Sequence, residues 1–320
     1  MPILAKISRS EFILPNLGSL IMGLAWGASP PLGVFEGVVL LVFSFAIINL
    51  SSAIGAQANT LSDYELDLKD DRKRDLVEAM KSYGRGRLKK VLAGEFVLCL
   101  LLVSVFAFVE DNLVLLPLWI IGISLGMMYS FKPLRLKSRS WLAPVSLMLV
   151  LAVFPVLFAY FSFTFEINLF FLLALVGLSF TVYGVIVPTE IRDYFGDKAM
   201  NIKTMSVRLG LSKSILLGIV LLCAGGTLTG TALFLQWNFN QSLLWLTPVI
   251  LVIPFSLWYV MTKFSKLYIL SKEYERADQK GEKLENKIVS FSSDNPKWIM
   301  IVTQTLSFLS VLLLVSKFFL

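Results

Sequence analysis

Two short acidic stretches hold the side chains in this sequence best suited to chemistry. Asn59, Asp63 and Asp67 recur at four-residue intervals in Asn59-Thr60-Leu61-Ser62-Asp63-Tyr64-Glu65-Leu66-Asp67. A second set, Glu190, Asp193 and Asp197, punctuates Glu190-Ile191-Arg192-Asp193-Tyr194-Phe195-Gly196-Asp197. Both stretches contain Asp-Tyr-x-x-Asp, follow a hydrophobic run and lead into Lys/Arg-rich sequence. On a helix, Asn59, Asp63 and Asp67 share one face, and so do Asp193 and Asp197. Like charges so spaced repel, so each face costs stability unless cations sit among them. Two facing carboxylate clusters suit a Mg²⁺-bound diphosphate, because magnesium takes few protein carboxylates and completes its shell with phosphate oxygens and water.

The elements that position these groups follow from composition. The 320 residues are 56% hydrophobic, with a mean hydropathy of +0.75. That apolar share exceeds the usual one for soluble domains and indicates a membrane protein. The sequence contains no histidine, which argues against histidine-based triads, His-zinc sites and haem. Cys99 and Cys223 both lie inside apolar runs, so no disulfide framework is implied. The apolar run after Lys6 and Arg9 is long enough to span and has no small-residue cleavage pattern, so no removable signal peptide is expected.

Apolar runs at 12–29, 36–58, 88–109, 113–130, 141–163, 168–189, 212–235, 242–262 and 297–318 predict an all-α membrane protein of about nine transmembrane helices around a central cavity. The whole chain, 1–320, reads as one domain, with 263–297 as a charged loop within it. Sorting the intervening loops by side places every Lys and Arg but Lys317 on one face, while the opposite loops hold Glu36, Glu110, Asp111 and Glu166. The positive-inside rule then puts the N-terminus and both acidic stretches in the cytoplasm of a multi-pass cell-membrane protein. The net charge of +7 is thereby assigned to loop orientation, and no nucleic-acid partner is expected.

Asn49, Ser52, Asn59 and Asp63 form a polar stripe on the second run, which is expected to line a cavity or a helix interface. Pro188, two residues before Glu190, is expected to break the sixth helix. The alternating charges of 265–296 predict a solvated cytoplasmic helix, and the last run reads as scaffold. The recurrence of the acidic stretch four spans later suggests two similar four-helix units plus one helix, with both acidic loops on the same face.

Taken together, these motifs resemble the UbiA-type superfamily of intramembrane prenyltransferases. Asn59, Asp63 and Asp67 match its Asn-x-x-x-Asp-x-x-x-Asp, and Glu190, Asp193 and Asp197 are similar to its Asp-x-x-Asp-x-x-x-Asp, with Glu190 in the first place. Ile202-Lys203-Thr204-Met205-Ser206-Val207-Arg208-Leu209-Gly210 is similar to Ile-Lys-Thr-Leu-Pro-Val-x-Leu-Gly. Tyr129-Ser130 through Pro133-Leu134-Arg135-Leu136-Lys137 resembles the stretch after the fourth span. The sequence departs from the pattern at Thr60, where Asp is common, and at Lys73-Arg74-Asp75-Leu76-Val77-Glu78, where quinone-pathway members carry Arg-Pro-x-Pro-x-Gly; the latter bears on the acceptor.

The resemblance implies Mg²⁺-dependent transfer of a prenyl group from an isoprenyl diphosphate to a lipophilic aromatic or lipid acceptor through an allylic carbocation. It implies that Asn59, Asp63, Asp67, Glu190, Asp193 and Asp197 bind Mg²⁺–diphosphate. Arg72, Lys132, Lys137 and Lys203 would contact diphosphate oxygens, and Tyr129 and Tyr194 would orient these groups or the cation. The partners expected are the two substrates and membrane lipids, with no obligate protein partner. The final proton acceptor is a carboxylate, a tyrosine or the diphosphate itself. Two alternatives remain: a cation-coupled transporter, which would place its carboxylates nearer mid-membrane, and a phosphoalcohol transferase, which would pack them in a single motif.

Overall fold

A computed structural model describes residues 2–29, 34–68, 73–239, 246–277 and 282–319. Within them the chain is helical throughout, with no strand. The helices are α1 (Ile3–Ile7), α2 (Ile13–Gly27), α3 (Val34–Asp67), α4 (Arg74–Tyr83), α5 (Arg85–Val109), α6 (Leu115–Ser130), α7 (Leu142–Met148), α8 (Phe154–Phe161), α9 (Leu169–Ala199), α10 (Met205–Leu209), α11 (Leu211–Phe239), α12 (Leu246–Arg276), α13 (Glu282–Ser292) and α14 (Asn295–Phe319).

Among the described residues, six helical stretches are long and apolar enough to cross a bilayer: Gly37–Asp67, Arg85–Val109, Leu142–Phe161, Leu169–Ala199, Leu211–Gln236 and Glu282–Lys317. α6 is apolar but shorter. Their outward faces leave Leu101, Val105, Phe108, Val176 and Val220 exposed, a surface suited to hydrocarbon rather than water.

Two cores flank a central chamber. One joins α2, α8, α9, α11, α12 and α14 through Val156, Phe171, Tyr183, Leu222, Phe264 and Trp298; the other joins α3, α5, α6 and α8 through Ile47, Phe106, Trp119 and Phe158. α9 and α11 approach closely because small residues face each other. A Cβ on Gly177 would lie 2.8 Å from the Gly225 carbonyl oxygen, and one on Gly184 would lie 3.1 Å from that of Gly218. Without an apolar driving force between helices in lipid, such close backbone packing is what holds a pair together.

Two sequence expectations change. α9 runs unbroken through Pro188 to Ala199, since neighbouring helices and side chains can support the backbone group that proline leaves without a partner. The 265–296 stretch is not a free solvated helix. α12 continues to Arg276, and α13 packs on α9 with Ile288 and Ser292 fully buried. Its charges alternate in sequence, but on a helix its apolar residues collect on one face.

Candidate active site

Both acidic motifs lie at the ends of the two longest helices that reach the chamber, α3 and α9, and both are helical to their last carboxylate. Asn59, Asp63 and Asp67 therefore project from one face of α3, and Glu190, Asp193 and Asp197 project from α9 into the same cavity of about 500 Å³. α2, α6, α7 and α8 complete its wall with α14. Away from the acids the lining is largely apolar, with Ile47, Trp119, Val150, Phe154, Phe158 and Val182, apart from a neutral polar group in which Asn16 donates to Asn49 Oδ1 and Ser52 Oγ. A π-helical turn, Leu149–Val153, joins α7 to α8 just before Pro155, whose missing N–H cannot continue an α-helical ladder.

Cations occupy the carboxylates. Arg135 donates from Nη2 to Asp63 Oδ1 at 2.8 Å, Lys137 Nζ pairs with Asp63 Oδ2, and Lys137 also donates to Asn59 Oδ1 at 2.8 Å. Lys73 donates to Asp67 Oδ1 at 2.8 Å, and Arg192 bonds Asp193 at 3.2 Å. Tyr183 donates its hydroxyl proton to Glu190 Oε1 at 3.0 Å. The like-charge repulsion within each motif is thus offset.

Local structure sets these cations in place. The 131–140 loop turns back over the chamber with Arg135 in the left-handed region at φ 38°, so Arg135 and Lys137 both reach α3. Ser140 N donates to the Lys203 carbonyl oxygen at 3.3 Å, which fastens this loop to the one following α9. Lys73 immediately precedes α4, which is seated by Met80 packing with Ile7, Leu61 and Leu88.

The two lysines differ electrostatically. Burial pulls the Lys73 ammonium down, but Asp193 and Asp67 together outweigh it and hold its pKa above the ordinary lysine value. Asp193 belongs to the second motif and Asp67 to the first, so Lys73 sits in the field of both. Burial is the largest influence on Lys137 too, and there it prevails over the attraction of Asp63, lowering the pKa. Lys137 therefore loses its proton at lower pH than in the unfolded chain. An anion-binding function should decline on the alkaline side before the ordinary lysine range is reached. Replacing Lys137 by Arg, which stays protonated, should move that alkaline limb upward in a pH–rate profile; an unmoved limb would show that Lys137 does not set it.

The remaining predicted residues divide. Tyr129 lines the cavity. Lys132 and Lys203 are exposed and are not among its lining residues; in the 131–140 loop it is Arg135 and Lys137 that point inward. Tyr194 faces away from the chamber, buried beside Phe195 at a ring-centroid distance of 5.2 Å. One residue from Asp193 on a helix is about 100° of rotation, which carries it to the packed side of α9. Arg72 lies outside the described residues. Sequence reasoning gave no role to Arg9, Lys73, Arg135 or Asn16, all of which line the cavity. For Arg9, Lys73 and Arg135 the signal was present as positive charge outside the apolar runs, but topology alone accounts for such charges; Asn16 is one neutral polar residue in an apolar run. Among the described residues no three carboxylates close on one point, so an ion here would draw few protein ligands from either motif.

The UbiA prenyltransferase family model matches residues 14–271. The chain belongs to the UbiA prenyltransferase family. This UbiA-family chain is an integral membrane protein, and its fold is shared by solved relatives. A UbiA homolog from Archaeoglobus fulgidus bound to DMAPP and Mg²⁺ is 16% identical, with a TM-score of 0.60 over 94% of this chain and 99% of that one. A digeranylgeranylglyceryl phosphate synthase is 14% identical with a TM-score of 0.59, covering 97% and 98%. An apo UbiA homolog from Aeropyrum pernix K1 is 12% identical with a TM-score of 0.56, covering 93% and 98%. No curated protein matches the sequence.

Proposed function

We propose that this protein transfers a prenyl group from an isoprenyl diphosphate to a lipophilic acceptor, with Mg²⁺ and the diphosphate held between the two acidic motifs at the cytoplasmic end of the chamber. One observation carries this reading: six motif residues from distant parts of the chain line one cavity whose remaining wall is largely apolar and holds no further carboxylate. That division suits a ligand with an anionic head and a hydrocarbon tail, and it fits a cation path poorly, because no carboxylate lines the chamber beyond the two motifs. The nine predicted crossings are read as two four-helix units plus one, forming a single domain.

Asn59, Asp63, Asp67, Glu190, Asp193 and Asp197 suit magnesium. They are oxygen donors split between two helices, and the few carboxylates available at any point match an ion that keeps water and phosphate oxygens in its shell. When bound, the metal supplies charge neutralisation for the departing diphosphate. Arg135, Lys137 and Lys73 would exchange carboxylate for diphosphate oxygens and stabilise negative charge as the allylic C–O bond breaks. The apolar wall, including Phe154, Phe158 and Trp119, excludes water from the allylic cation until the acceptor attacks and passes its proton to a carboxylate, a tyrosine or the released diphosphate.

The test is an assay of purified protein in detergent with labelled geranylgeranyl and farnesyl diphosphates. Each donor is offered with a panel of acceptors: a glyceryl-phosphate ether lipid, aromatic acids and naphthoates. Transfer should disappear with EDTA and return with added Mg²⁺. Metal-independent turnover, or none with any acceptor despite a folded protein, would overturn the reading.

The chamber wall gives a second expected result. Gly55 lines the cavity, and a Cβ there meets no atom within 4 Å. Gly55→Trp should therefore fill chamber space without disturbing the helix packing. The KM for geranylgeranyl diphosphate should rise by about 10-fold or more relative to that for dimethylallyl diphosphate. An equal change for both donors would place the tail elsewhere.

A further inference from the structure

The motif helix α9 is held from behind by residues beyond the family match. Asn295, the first residue of α14, is fully buried and donates from Nδ2 to Thr189 Oγ1 at 2.7 Å. Thr189 lines the cavity and stands between Pro188 and Glu190. Pro188 supplies no N–H to the helix ladder, so α9 has one fewer backbone restraint where its acidic face begins. The Asn295 amide makes a side-chain tie at that turn.

Three further contacts brace the same end of the bundle. Tyr274 meets Phe195 edge-on at 5.2 Å, and Ile288 packs in one cluster with Ile191 and Tyr194. Glu275 accepts from Ser212 N at 3.0 Å and from Ser212 Oγ at 2.6 Å, holding the start of α11. Ile191, Tyr194 and Phe195 are thus engaged on one side of α9, while Glu190, Asp193 and Asp197 face the chamber on the other.

We propose that Asn295 is a positioning residue for the second acidic motif: through Thr189 it fixes the rotation of α9 and so the aim of Glu190 and Asp193 at the bound diphosphate. This rests on the prenyltransferase reading. Asn295 touches no substrate; its effect passes through the helix. Outer partners that orient ligating groups typically change metal affinity or activity by roughly 10–100-fold when removed. A carbonyl or hydroxyl left without a partner in a dry interior adds a stability penalty, so the test must separate aim from folding.

The experiment measures binding rather than turnover. Geranylgeranyl S-thiolodiphosphate, an inert donor analogue, is titrated with Mg²⁺ into the full chain by calorimetry, alongside thermal unfolding. Asn295→Leu, Thr189→Val and the double variant are compared with wild type. Each single variant should weaken analogue binding and raise the Mg²⁺ concentration for half-saturation by about 10-fold. The double variant should lose no more than either single one, and should recover thermal stability because both polar partners are gone. Wild-type affinity in Asn295→Leu, or additive losses in the double variant, would overturn the positioning role. Loss of thermal stability with Mg²⁺ half-saturation unchanged would reduce Asn295 to scaffold and overturn it equally. No analogue binding by the wild-type chain would instead bring down the functional reading, and this inference with it.

Discussion

Asp63→Asn should reduce prenyl transfer by at least about 10²–10³-fold, the scale set by removing one group that stabilises charge in a transition state. Asp63 is the hub of the first motif, with Arg135 and Lys137 both paired to it. The three side chains are only 14–18% exposed, so Asp63→Ala would strand two cations in a largely dry site. Breaking a buried pair in that way costs about 3–5 kcal/mol, and a dead enzyme could then mean an unfolded one. Asparagine keeps the shape and an acceptor oxygen while removing the charge. Asp193→Asn is the matching change in the second motif, where Arg192 is the partner. Single-turnover transfer with saturating Mg²⁺ measures the effect, and thermal unfolding checks the fold. Near-normal turnover in either variant would end the proposal that both motifs serve one diphosphate.

Lys73→Met should be nearly as damaging, lowering kcat/KM for the donor by roughly 10²-fold, although sequence patterning gave this lysine no role. Its ammonium is bonded to Asp67 of α3 and raised in pKa by Asp193 of α9. It is therefore the cation most evenly shared by the two motifs. Because its folded-state pKa lies above the unfolded one, its stabilising contribution is complete below the ordinary lysine value. That contribution is lost only as pH rises through the raised pKa. As pH rises, Lys137 should thus discharge first, over a range in which Lys73 is still charged. The Lys73→Met defect should accordingly be constant across that range. A defect that fades with rising pH would mean that Lys73 was losing its proton in the intact protein.

The parts of this fold written as local periodicity were legible in the sequence. Within the described residues the apolar runs lie largely in helix, and six helical stretches are long and apolar enough to cross a bilayer, because a run of about 20 apolar residues specifies a helix in lipid almost by itself. The polar stripe of Asn49, Ser52, Asn59 and Asp63 faces the chamber for the same reason: spacings of three, four and seven residues share a helix face. What the pattern left out depends on neighbours. Lys132 and Lys137 look alike in a row of cations, and only the turn of the 131–140 loop makes one exposed and the other a chamber residue. Tyr194 stands inside the acidic motif yet packs outward, since adjacent residues on a helix point about 100° apart. α13 reads as a charged helix by its residue count, and its buried face appears only when Ile288 and Ser292 are placed against α9. Pro188 marks a breaker in sequence, and surrounding packing keeps the helix whole.

The glycine-lined seam between α9 and α11 has a mechanical corollary. Backbones locked at Gly177–Gly225 and Gly184–Gly218 leave no room for one helix to slide past the other, so the pair should travel as a single beam. α3, by contrast, has at Gly55 a point where an added methyl group would touch nothing. Whatever breathing admits a bulky hydrocarbon chain should then be borne by α3 and its neighbours, with the Glu190–Asp197 side serving as the fixed jaw.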